Sequence, residues 1–97
     1  MTCFIATLKI KPGHEADFER LQAELSQLTH AHEPDTLVYD IIRSRDNPNT
    51  YVVYARFKDE AAEHAHMDSP WLKKRIQTFV DCVDGTWERE YLDEFKA

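Results

Sequence analysis

A chain of 97 residues carries one domain, too short for two independent cores, and buries only about 60–65% of the surface its unfolded form exposes. Hydrophobic residues make up 42% and charged residues 31%, and 12 Lys+Arg against 18 Asp+Glu leave a net charge of -6. That balance argues against nucleic acid and anionic membrane surfaces, both of which call for a basic face, and no apolar stretch approaches the ~20 residues needed to cross a bilayer.

The first residues, Met1-Thr2-Cys3-Phe4, lack the basic region of a signal peptide. Cys3 and Cys82 have no metal or redox spacing, which points to reduced thiols and a cytoplasmic protein. Cys3 to Ile10 is rich in β-branched and aromatic residues and predicts a strand, ended by a turn at Pro12-Gly13. From His14 to about Ala31, Phe18, Leu21, Leu25 and Leu28 recur at spacings of three and four among polar residues, the pattern of an amphipathic helix. Pro34-Asp35 breaks it. Thr36–Ser44 and Thr50–Lys58 predict two strands joined as an antiparallel hairpin through Arg45–Asn49. Asp59 caps a short helix from Glu60 to about Met67. Ser69-Pro70 starts a further helical segment, with Leu72, Ile76, Phe79, Val80 and Val83 on one face and Gly85 as its stop. Gly85–Phe95 alternates and predicts a final strand.

The order β-α-β-β-α-β is the ferredoxin-like arrangement, an α+β fold with helices on one face of a four-stranded antiparallel sheet. An antiparallel sheet with one wet face alternates apolar and polar residues. Here Cys3 and Ile5 oppose Phe4, Ala6 and Leu8, and Val52 and Tyr54 oppose Tyr51, Val53, Ala55 and Phe57. Both faces are apolar. The face away from the helices therefore calls for a covering, which a second copy provides most simply through a two-fold contact, so a homodimer is expected.

Of the five histidines, His30/His32 and His64/His66 are i,i+2 pairs, which point about 200° apart on a helix and match no zinc signature, so no metal site is expected. His66 follows Ala62 by four and faces the sheet, whereas His64 faces water. Near a helix C-terminus the macrodipole favours its cationic form. It is either a proton shuttle or a buried histidine bonded to a backbone carbonyl. Tyr39, Tyr51, Phe57 and Trp71 either line a cavity for a small flat ligand or simply fill a thin core. Arg43 and Arg56 are partners for an anionic ligand or for the acidic surface. No phosphate loop, nucleophile elbow, nucleotide motif or flavin motif is present, and no cofactor is expected.

Three stretches carry a resemblance: the opening strand with Lys11-Pro12-Gly13-His14-Glu15, His32-Glu33-Pro34-Asp35-Thr36-Leu37-Val38-Tyr39, and Tyr54-Ala55-Arg56-Phe57-Lys58-Asp59-Glu60-Ala61-Ala62 continuing to His66. With Ser69-Pro70, they resemble the antibiotic biosynthesis monooxygenase (ABM) domain family of the dimeric α+β barrel superfamily. The resemblance implies ferredoxin-like subunits packed sheet to sheet. It also implies cofactor-independent oxygenation of quinols or aromatic polyketides in a pocket between sheet and helices, with His66 matching the family histidine. The chain departs from the family pattern in having Phe57 for a tryptophan, Ala55 for a glutamate, Val53 for an asparagine of the polyketide-oxidising members and Ala6 for an asparagine of the heme-degrading branch. The run from Phe57 through His66, with Ser69-Pro70 and Lys73, is also similar to the phosphorylated autoinducer-2 isomerase branch. That similarity implies proton transfer between carbons flanking a carbonyl. The remaining alternative is a dimer that binds a small ligand without chemistry.

Overall fold

Strand alternation and helical periodicity set most of the architecture. In the computed structural model, which describes residues 1–95, β1 (Thr2–Lys9) leads into α1 (Glu15–His32), β2 (Thr36–Arg43) and β3 (Thr50–Phe57), followed by α2 (Glu60–Met67), α3 (Pro70–Cys82) and β4 (Arg89–Leu92). The four strands form one antiparallel sheet in the order β2-β3-β1-β4, the ferredoxin-like topology expected from the element order. Opposite residues such as Phe4 and Ala55, Leu8 and Tyr51, and Tyr39 and Ala55 share the face under the helices. There they meet Phe18, Leu25 and Leu72 in one core.

The turns follow from local chemistry. Gly13 takes φ +90° while His14 N–H donates to the Lys11 carbonyl, the hydrogen-bonded turn that Pro12-Gly13 favours. Asp59 accepts from Ala62 N–H at the start of α2, and Ser69 accepts from Leu72 N–H at the start of α3.

The C-terminal part departs from expectation. Helix α3 ends at Cys82 rather than near Gly85, because Val83 turns extended and bridges to Ile10 while Asp84 N–H donates to the Lys9 carbonyl. Val83 is buried as part of this bridge and not on a helical face. Ile76 and Val80, expected in the core, are exposed. The last strand is four residues long: only Arg89–Leu92 pairs with Cys3–Ala6. Trp87 instead leaves the strand line to pack edge-on against Phe79 at 5.1 Å.

The other face of the sheet carries Ile5, Val52, Tyr54 and Leu92, all half-buried, and Ile42, which is 55% exposed. Among the described residues no helix covers this face.

Candidate functional site

Helix α2 presents His66 inward and His64 to solvent, as the spacing from Ala62 requires; His66 is 2% exposed. Its carbonyl accepts from the Ser69 hydroxyl at 2.7 Å, and the same oxygen of Ser69 caps α3, so the ring's backbone is fixed at the joint of two helices.

The imidazole is not bonded to a backbone carbonyl. Its Nδ1 lies 2.9 and 3.1 Å from the two oxygens of Glu33, a carboxylate 10% exposed at the C-terminal cap of α1. The Glu33 main chain is held by its N–H donating to the Thr29 carbonyl at 2.8 Å. Its carboxylate also accepts from Trp71 Nε1 and, at 2.7 Å, from the Thr36 hydroxyl. Three donors on one nearly buried carboxylate allow it little freedom, and a charge taken so far out of water needs such partners. A carboxylate can only accept, so Nδ1 carries a hydrogen, and in the neutral ring Nε2 has the lone pair. Among the described residues Nε2 has no hydrogen-bond partner.

The ring is flanked by Tyr39 at 5.1 Å and Phe57 at 5.5 Å between ring centres. His66 and Tyr39 form part of the wall of a cavity of about 100 Å³ between sheet and helices, otherwise walled mainly by Leu8, Leu25, Leu72, Phe79 and Trp87, with Arg89 beside them. The Tyr39 hydroxyl donates to Gln22 Oε1 at 3.1 Å. Burial pushes the Tyr39 phenol well above its ordinary range; the Glu33 carboxylate adds to the shift, and Arg89 opposes it. Tyr39 is thus a neutral donor.

The five aromatic and histidine candidates separate into groups. His66, Tyr39 and Phe57 come together, with Phe57 packed behind the ring rather than on the cavity wall. Trp71 holds Glu33 from the opposite side and stacks on His32 at 5.0 Å, beside a surface groove lined by Glu33, Asp35 and Pro70. Tyr51 lies elsewhere. It packs on Phe18 at 4.9 Å and donates to Glu19, which also pairs with Arg43 at 3.3 Å, in an open groove along α1 and β2. Arg56 alternates to the uncovered face of the sheet, away from the cavity. Among the described residues, no three His, Cys, Asp or Glu side chains converge as a metal site. No helix among them is long and apolar enough to cross a membrane.

Glu33 is the residue that the sequence conceals. Its partners are Thr36, His66 and Trp71, two of them more than thirty residues distant, and no local periodicity marks it.

The sheet order, the single layer of helices and the inward histidine define a ferredoxin-like α+β domain with a small, half-open, largely apolar cavity. The antibiotic biosynthesis monooxygenase family model matches residues 1–78, and the chain belongs to that family. A provisionally named antibiotic biosynthesis monooxygenase of Caulobacter crescentus is 28% identical and superposes with a TM-score of 0.92, over 98% of this chain and 90% of that one. A provisionally named antibiotic biosynthesis monooxygenase of Nitrosomonas europaea (19% identity, TM-score 0.91, 99% and 100% covered) and a conserved protein of Methanosarcina mazei (21%, 0.89, 97% and 92%) share the fold. No curated protein matches the sequence significantly.

Proposed function

We propose that the protein is a cofactor-independent monooxygenase acting on a small one-ring quinol or an aromatic or carbonyl compound of similar size, with His66 as the catalytic base. The observation that carries this reading is the Glu33-oriented imidazole in the wall of a half-open, largely apolar cavity. Nε2 accepts the proton of an acidic O–H or C–H, and the resulting anion gives its electrons to dioxygen. For a quinol with a free ring position, one quinol and one dioxygen give one hydroxyquinone and one water. A C–O bond forms at the ring and the O–O bond breaks. The ring gives up the electrons that dioxygen takes, and the proton held by His66 leaves in the water. General base catalysis of this kind contributes about 10²–10⁴-fold, and a largely apolar wall limits reprotonation of the anion by solvent.

A cavity of about 100 Å³ is smaller than the roughly 150 Å³ engineered apolar void that accommodates benzene. It must widen to admit even one ring, and much further to admit a polycyclic polyketide, so single rings and short carbonyl compounds are favoured. Its mainly aliphatic and aromatic lining offers few partners for the several hydroxyls of a keto-sugar phosphate, which weighs against the isomerase reading.

The uncovered face with Ile5, Ile42, Val52, Tyr54 and Leu92 fits a second copy, so the enzyme is proposed to be a homodimer. Light scattering is expected to give twice the 11.4 kDa chain mass, and 11.4 kDa at micromolar concentration overturns that.

Oxygen uptake with a panel of substituted hydroquinones, naphthohydroquinones and anthrones tests the activity. Turnover confined to the one-ring members and lost by about 100-fold or more in His66→Ala is expected. Uptake unchanged in His66→Ala overturns the role of this residue, and no uptake with any member overturns the oxygenase reading in favour of a binding protein.

A further inference from the structure

Arg89, on β4, forms part of the same cavity wall as His66. Its guanidinium carbon lies 4.5 Å over the Phe4 ring, and Nη2 lies 3.0 Å from the Met67 sulfur, a weak acceptor. Among the described residues its one anionic partner is Glu63, reached by Nη1 alone at 3.4 Å. The Glu63 oxygen concerned is already taken at 2.7 Å by the Tyr91 hydroxyl. This pairing is single-pronged and long, where guanidinium and carboxylate can meet through two short parallel bonds. Most of the five donors of Arg89 therefore remain uncommitted beside an apolar hollow.

We infer that Arg89 is the anion-recognising residue of the cavity, selecting small planar ligands that carry a negatively charged oxygen. The inference rests on the cavity being the binding site. It deepens that reading by assigning the charge of the ligand and the residue that reads it. A guanidinium over an aromatic face, itself 30% exposed, remains charged and planar, and its field acts across a wall with few competing dipoles. The field already reaches the phenol of Tyr39 across the cavity, where it works in the direction that favours an oxyanion. The other titratable groups around the hollow limit where that charge can sit. Glu33 lies behind His66 and Glu63 behind Arg89, so an anionic oxygen is favoured only on the guanidinium side and its conjugate hydrogen on the imidazole side.

The test uses three one-ring probes of similar size with the full-length protein: 4-nitrophenolate, benzoate and nitrobenzene. At pH 8, titrations followed by 4-nitrophenolate absorbance and by calorimetry are expected to show at least one of the two anions bound about tenfold or more tightly than neutral nitrobenzene. Which anion wins separates a phenolate-type from a carboxylate-type ligand. Arg89→Gln is expected to erase the preference while leaving nitrobenzene binding within about twofold. Glu63→Gln, which removes the competing charge and keeps an acceptor for Tyr91, is expected to enlarge the preference. Equal binding of all three probes, a preference that survives in Arg89→Gln, or no binding of any probe at millimolar concentration overturns the inference. His66→Ala is expected to keep the anion preference even though it loses oxygen uptake, so failure of the oxygenase reading and failure of this one give different results.

Discussion

Two glutamates of α1 and its cap do the same chemistry in different surroundings. Glu19 accepts from the Tyr51 hydroxyl and pairs with Arg43; Glu33 accepts from Trp71, Thr36 and His66. The Glu19 side chain is 48% exposed and that of Glu33 10%. Water competes for every bond that Glu19 makes and screens its pairing with Arg43, so the cluster is worth little to the fold. At Glu33 the solvent is mostly gone, and each donor aimed at the carboxylate would be stranded without it. Burial, more than the identity of the partners, turns one carboxylate into surface decoration and the other into a fixed point from which a base can be aimed.

That contrast can be broken in several ways. Glu33→Ala is expected to have the largest effect: with the indole N–H, the Thr36 hydroxyl and Nδ1–H all deprived of their acceptor, stability in urea falls by roughly 2–3 kcal/mol. Glu33→Gln keeps an acceptor and most of the stability but no longer sets the tautomer of His66. Under the proposed oxygenase reading it should therefore lower kcat with little change in KM and alter the pH profile. A purely structural Glu33 would leave the profile as it was. Trp71→Phe removes one of the three donors and should cost about 1 kcal/mol. Glu19→Ala should cost less than about 1 kcal/mol, a loss that shrinks further in 1 M salt. If Glu19→Ala matched Glu33→Ala, the difference in burial would not be what distinguishes them.

Tyr39 sharpens the same comparison through pH. Burial raises its phenol above the ordinary value near 10, so below that pH the proton is held in folded and unfolded chains alike and nothing is lost. Above it the unfolded chain releases the proton while the native phenol keeps it, and stability falls as the pH climbs. Tyr51 and Cys82, also raised chiefly by burial, act in the same direction. Tyr39→Phe should therefore flatten, without abolishing, the alkaline decline in urea midpoint between about pH 9 and 11.

The fold was readable because each strand and helix declares its buried face in its own spacing: Phe4, Ala6 and Leu8 in β1, and Phe18, Leu21 and Leu25 in α1, are all buried. The inward turn of His66 was readable for the same reason. Grouping the aromatics was not. Tyr51 and Phe57 share a face of β3, but six residues at about 3.3 Å each set them roughly 20 Å apart, at opposite ends of the sheet. Parity reveals the face and says nothing of the position along it. Glu33 was hidden more deeply, since two of its partners lie more than thirty residues away and only the packed helices bring them to it. The early end of α3 was obscured by a pairing, Val83 with Ile10, between residues more than seventy positions apart.

The Ser69 hydroxyl donates to His66 and accepts from the first turn of α3, the helix that contributes Leu72 and Phe79 to the cavity wall. Imidazole and wall are thereby riveted together. In the proposed oxygenase, a guest too bulky for the hollow that wedges α3 outward drags the imidazole along with it, so poor fit is converted into poor aim without any direct contact.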